Sequence, residues 1–131
     1  MSEIDFTSTY LHLEDGPPVR QIPVTDDFWP TIDSRADLHR GRLITSFEQD
    51  ADWTVWEMHP EGDEVIVLLR GAMTFHLDDG TSTESVGVTV PHGVLVPKGV
   101  WHTADVDEPG QILVITWGEG TTHRPRDQHP V

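Results

Sequence analysis

DWTVWEMHPEGDEVIVLLRG, residues 52–71, spells out a strand, a tight corner and a second strand. Side chains two apart on a strand point to the same face. Val55, Glu57 and His59 therefore share one side, and Thr54, Trp56 and Met58 the other. Two metal-binding side-chain types thus stand next to each other. Pro60, Glu61, Gly62 and Asp63 are turn formers, and Glu64 opens a run, Val65 to Leu69, that is apolar throughout. The corner folds Glu64 back toward His59. Glu57, His59 and Glu64 then form half of a metal site, open on one side.

The closing histidine lies downstream in VPKGVWH, residues 96–102. Pro97 and Gly99 mark a turn, and Val100, His102 and Ala104 share a face of the strand that follows. Of these three only His102 has a ligand atom. Here the sequence resembles the cupin superfamily, in particular its small single-domain members. The first motif of that family contains His-x-His, four residues, Glu, six residues and Gly; the second contains Pro-x-Gly-x-x-His. His59, Glu64 and Gly71 keep the first spacing, and Pro97, Gly99 and His102 keep the second. At ordinary frequencies of about 7% glycine and 5% proline, the second motif arises by chance at roughly one position in ten thousand. Four positions depart from the pattern: Glu57 replaces the first histidine, Ala51 and Pro91 stand where glycines are usual, and Val106 stands where the second motif ends in asparagine.

The resemblance implies a metal site of Glu57, His59, Glu64 and His102, with Glu57 altering the usual three-His, one-Glu set. Two neutral imidazoles and two carboxylates cancel the charge of a divalent ion. Without thiolate the set suits Fe, Mn, Ni or Zn, and a neutral centre favours Mn(II) or Fe(II) over copper. If Glu57 swings away, His59, Glu64 and His102 leave the two-His, one-carboxylate face found in iron oxygenases, and Glu57 becomes free as a general base or acid. Should the site hold no metal, one of the two neighbouring carboxylates is expected to have a raised pKa.

At 131 residues the chain is sized for one domain. Its net charge of −15 repels phosphate backbones and anionic membranes, so neither nucleic acid nor membrane is an expected partner. Cysteine is absent, which excludes disulfides and thiolate metal sites. The opening MSEIDFTSTY lacks a basic cluster and a signal-length apolar run, and no stretch approaches the roughly 20 apolar residues of a membrane helix, so a cytoplasmic protein is expected.

Residues 1–40 read as an irregular arm punctuated by Gly16, Pro17, Pro18, Pro23 and Pro30, with a strand near Val19 to Val24 and a short helix near Ser34 to His39. From residue 41 to 117 the pattern is short strands: around Arg42 to Glu48, Val65 to Leu69, Ala72 to Leu77, Thr81 to Val90, Gly93 to Val96, Val100 to Val106 and Gln111 to Trp117. Such a series argues for an all-β sandwich or barrel, and the resemblance narrows this to the cupin jelly-roll barrel, a double-stranded β-helix. Residues 118–131 read as a tail of loop, with His123 and His129 solvated. His12, His39, His76 and His92 are expected outside the site.

Trp56, Met58, Val65, Val67, Leu69 and Trp101 fall on outward faces, where an antiparallel sheet facing water should be polar. The arm or a second subunit must cover them, and a homodimer is the expected answer. Val55, Ile66, Leu68, Val100 and Ala104 are expected to line an apolar cavity, with Trp53 at its rim. Two functions fit: a metal-dependent enzyme acting on a small organic molecule by oxygenation, isomerisation or hydrolysis, or a non-catalytic module that binds a small molecule or metal.

Overall fold

The computed structural model describes residues 2–127; His129 lies outside them. Its strands are β1 (Thr9–Leu13), β2 (Val19–Pro23), β3 (Arg42–Gln49), β4 (Val55–Met58), β5 (Glu64–Asp78), β6 (Thr83–Thr89), β7 (Gly93–Val96), β8 (Trp101–Thr116) and β9 (Thr122–Pro125). Among the described residues no helix is long and apolar enough to cross a membrane.

The fold winds around β5 and β8, which pair antiparallel along their whole length, from Glu64 opposite Thr116 to Asp78 opposite Trp101. Each runs through what the alternation suggests are two shorter strands. The register slips between Leu68 and Met73, and there the ladder bends. Gly71 sits at the bend with φ +90, where a Cβ would stand 2.6 Å from the Glu108 carbonyl oxygen. A bulged glycine lets one long strand serve two sheets. Beyond the bend, β8 pairs with β3 on one flank, and before it with β4. β6 and β7 pair with opposite halves of β5. This is the jelly roll of a cupin-type barrel.

Alternation along the two long strands fills the interior. Ile66, Leu68, Met73, Phe75, Val96, Ala104 and Ile112 are each at most 2% exposed and pack as one cluster, each large side chain contributing about 1.5–3 kcal/mol by its burial. Ile66, Leu68 and Ala104 are thus consumed by core packing and, with Val100, do not line the cavity expected of them; Val55 and Trp53 do.

The arm is more regular than its prolines suggest. β1 and β2 form a hairpin that extends the sheet beyond β3. The expected helix is two single 3-10 turns, Ile32–Ser34 and Ala36–Leu38, broken where Arg35 adopts φ −83, ψ 77. Tyr10, Ile22, Phe28 and Leu38 make a second small core, and Trp29 joins it to the barrel through Phe47, with ring centroids 5.5 Å apart. His12, expected in a polar surface context, is buried, with Nε2 donating to the Arg40 carbonyl at 2.7 Å.

The outer face also differs from expectation. Trp56 is 7% exposed within the single chain, so no second subunit is needed to bury it. Trp101 is half-buried, with the Arg124 guanidinium 5.1 Å from its ring centre. The reason is β9, formed in a segment read as loop, which pairs with β4 and sets Arg124 opposite Trp56. Elsewhere the outer face stays apolar. Leu11, Ile44, Ile115, Val65 and Leu95 form one cross-strand row over β1, β3, β8, β5 and β7, and Leu95 is 59% exposed.

Candidate metal centre

Two turns bring the site together. Val100 N–H donates to the Pro97 carbonyl, and Gly99 takes φ +80 at the third position of that turn, a conformation that favours glycine. The same turn is tied to the corner after β4, since Gly99 N–H donates to the His59 carbonyl at 2.9 Å and Lys98 N–H to Asp63 Oδ1 at 2.9 Å. Glu57 stands opposite His102 in the β4–β8 pairing. The two spaced sequence patterns are thus hydrogen-bonded to each other, which places their histidines with ring centroids 5.3 Å apart.

Glu57, His59, Glu64 and His102 each offer a ligand atom, and these atoms all lie within 4.8 Å of one another. His59 Nε2 is 2.8 Å from Glu64 and 3.0 Å from Glu57; His102 Nε2 is 3.0 Å from Glu64 and 3.5 Å from Glu57. Both nitrogens are buried, and neither is aligned for a hydrogen bond with those oxygens. Their tautomers are set from behind. Thr121 Oγ1 donates to the Gly118 carbonyl and so accepts from His59 Nδ1–H at 2.7 Å. His102 Nδ1 faces the Val100 carbonyl at 3.4 Å. With Nδ1 as the donor, neutral His59 and His102 both aim an Nε2 lone pair at the centre of the group, the usual arrangement of a ligating histidine. Glu64 Oε2 accepts from the Thr116 hydroxyl at 2.5 Å. The residues fit a small divalent cation.

Electrostatics of the bare group tell the same story. Burial works against a charged imidazole, but the Glu57 and Glu64 carboxylates outweigh it and raise His59 to about 9 and His102 to about 10. Burial likewise pushes Glu57 and Glu64 up, and the histidines outweigh it and hold both below the usual carboxylate range. A raised carboxylate pKa, expected for a metal-free pair, is not found, because two imidazoles stand between the carboxylates and hold the protons themselves.

His123, expected from the sequence to be solvated, is instead tied to the group, and sequence reasoning missed that contact. It sits on β9 opposite Glu57, and its Nε2 lies 2.7 Å from Glu57 Oε2. One carboxylate oxygen of Glu57 thus faces the two inner histidines while the other is held by the tail. The signal was a Gly118-to-Gly120 turn followed by Thr122, His123 and Arg124, too short a run to stand out as a strand. His76 lies apart from the group, bonded to Ser85 and Asp105, and His39 and His92 are outside it too, as expected.

Glu57, His59 and Glu64 line one end of a cavity of about 890 Å³, and His102 lies buried behind them. It is lined by Leu43, Phe47, Trp53, Val55, Ile112 and Val114, with Trp29, Ile32 and Leu38 of the arm and residues 118–121 and 123 of the tail completing it.

Jelly roll and histidine–carboxylate group together define a protein of the cupin fold. No known family model matches the chain. A cupin-2 domain protein from Shewanella frigidimarina superposes with a TM-score of 0.50 at 20% identity, over 57% of this chain and 69% of that one. Hydroquinone 1,2-dioxygenase PnpCD, in complex with Cd2+ and 4-hydroxybenzonitrile, gives 0.50 at 17% identity, over 57% and 56%. An oxalate decarboxylase gives 0.52 at 16% identity, over 66% of this chain and 23% of that one. In sequence, human fibrocystin-L is 28% identical over 115 residues, a match that takes in 72% of this chain and 3% of that protein.

Proposed function

We propose that Glu57, His59, Glu64 and His102 hold one divalent first-row transition metal ion, and that the protein is an enzyme acting on a small organic molecule in the cavity beside it. The observation that carries this reading is the convergence of two buried imidazole nitrogens and two carboxylates at the end of an apolar cavity. Two nitrogen and two oxygen donors without thiolate suit Fe, Mn, Ni or Zn. A bound ion of this kind supplies Lewis acidity, and redox chemistry where the metal allows it. Glu57 is the least buried of the four side chains and reaches from the inner histidines to His123 at the rim. It is placed to carry a proton between the cavity and the rim as a general acid or base. A site that only stored metal would have no use for so large an apolar chamber, so the chamber favours a small-molecule site, and the position of Glu57 beside it is what favours turnover over binding alone.

The test starts with protein purified without a polyhistidine tag. Elemental analysis should find one transition metal per chain. Protein that stays metal-free after reconstitution with Fe(II), Mn(II), Ni(II) and Zn(II) in turn sinks the metal centre. Fe(II)-dependent oxygen uptake with a small organic substrate, or metal-dependent isomerisation or hydrolysis, supports the enzyme; tight binding without turnover supports the module instead.

We also propose that two copies pair through the outer row of Leu11, Ile44, Ile115, Val65 and Leu95. An exposed apolar row can be covered by the same row of a second copy about a two-fold axis, the arrangement of most homodimers. Leu95→Glu would then place a charge in a desolvated contact and yield monomer. A native chain that sediments as a monomer over a wide concentration range rejects the pairing.

A further inference from the structure

The cavity carries a charge pattern that selects its occupant. The chain has eight Lys and Arg residues, all within the described region, and none of them lines the cavity. Arginines are drawn to the outside by carboxylates, as Arg20 is by Glu14 and Asp37 and Arg70 by Glu48, or by indole rings, as Arg42 is by Trp117. Histidines aside, the charged side chains that face the space are acidic: Glu57 and Glu64 at the inner end, Asp33 and Glu119 toward the rim; in the bare protein the protons on His59 and His102 are already matched by the Glu57 and Glu64 carboxylates 2.8–3.5 Å away. Two histidines also reach the rim, and both are engaged. His123 Nε2 is taken by Glu57 Oε2 at 2.7 Å, and His39 Nε2 by the Asp33 carbonyl at 3.2 Å. A divalent ion held by all four residues would carry no net charge to draw an anion in, because two carboxylates and two neutral imidazoles cancel it. A buried carboxylate or phosphate on a ligand would therefore stay without a counter-charge, in a chain of net charge −15.

The apolar lining has a shape as well. Trp29 and Phe47 line it with ring centroids 5.5 Å apart, and Trp53, its indole N–H fixed by Gln49 Oε1 at 2.6 Å, lines it as well, its ring centroid 6.0 Å from that of His102. Aromatic walls of this kind favour flat rings and, through their faces, ammonium groups.

We infer that the substrate class is an aromatic or similarly flat apolar molecule that is uncharged or amine-bearing, and not a carboxylate- or phosphate-bearing one. This rests on the metal-centre reading only for the statement that the ion is neutralised; the rim charges and the lack of Lys and Arg stand without it.

The experiment compares four probes built on one ring: benzyl alcohol, benzylamine, benzoate and phenyl phosphate. Binding is read by quenching of tryptophan fluorescence at fixed ionic strength, on protein loaded stoichiometrically with Zn(II) and again after chelation. Benzyl alcohol and benzylamine should bind about ten-fold or more tighter than the two anions, the scale of leaving one charge unpaired. Ile32→Arg, a change at the half-buried rim, should bring benzoate up and benzylamine down. Tighter binding of benzoate or phenyl phosphate to the native protein overturns the inference, as does the absence of binding by all four. Failure to load Zn(II) moves the loaded arm to Mn(II), Fe(II) or Ni(II); failure with all four removes the metal centre, and the order of the probes is then read on the metal-free protein. A stoichiometrically loaded protein that prefers anions removes the substrate class and leaves the metal centre in place.

Discussion

The inner and outer halves of the candidate site are built by different kinds of chain. His59, Glu64 and His102 come from the ends of β4, β5 and β8, where the two turns hydrogen-bond each other and leave the ligand residues at most 5% exposed. Thr121 and His123 come from a four-residue strand and the turn before it, and His123 is 51% exposed. The inner residues face the centre directly. The outer ones act on it through one hydrogen bond each, Thr121 through His59 and His123 through Glu57. If that division is real, breaking the inner half abolishes the site, and breaking the outer half only loosens it.

His102→Ala therefore carries the largest expected effect. Removing a donor from the centre of the group should lower metal affinity well beyond the roughly 10–100-fold typical of an outer partner, whereas His123→Ala and Thr121→Val should stay within that range. Competition against a chromophoric chelator measures all three on one scale. Equal losses for His102→Ala and His123→Ala would erase the division between the halves and make His123 a ligand in its own right.

The same division separates what could be read in the sequence from what could not. Glu57, His59 and Glu64 were legible as neighbours because strand alternation and turn chemistry are local; His102, on a distant strand, was joined to them by the resemblance of the two spaced motifs to the cupin pattern, and the structure does bring the four together. Gly71 was legible as part of a spacing, though its role at the bend appears only in three dimensions. His123 was not legible, since its partner Glu57 lies 66 residues away and a four-residue strand has no measurable period. Trp56 misled for a related reason: alternation correctly put it outside, but nothing local shows that β9 returns along β4. The arm was half-read, its second strand expected and the buried His12 missed, because the burial of a histidine depends on the segment folded over it.

Glu57 joins the two halves, and its replacement sharpens the comparison. Glu57→His restores the commoner ligand set of the family that the sequence resembles, and it removes the carboxylate that holds His123. Metal should remain bound, with preference moved toward nitrogen-favouring ions such as Ni(II) or Cu(II). A Glu57→His protein with unchanged metal preference would show that residue 57 does not ligate, and would move it to the outer half with His123. Glu57→Gln separates the roles further, since loss of turnover with metal content intact would mark Glu57 as acid or base and not ligand.

The smallest expected effect is on stability against pH, and it distinguishes bare from metal-loaded protein. In the bare protein His59 and His102 are raised, so their contribution is fully present below the unfolded value of about 6.5 and is lost as pH rises through about 9 and 10. Glu57 and Glu64 are lowered, so theirs is present above the ordinary glutamate value of 4.5 and is lost as pH falls through their depressed values. Metal-free protein should accordingly be most stable from about pH 4.5 to 6.5 and soften toward pH 10. Loading a metal requires both imidazoles neutral and displaces their protons, so the stabilisation that metal adds should grow over that alkaline span. The melting temperatures of the two forms should diverge from pH 6 to pH 9. Parallel curves would mean that the protons on His59 and His102 are not those a metal displaces, and the inner half would lose its claim to be the binding site.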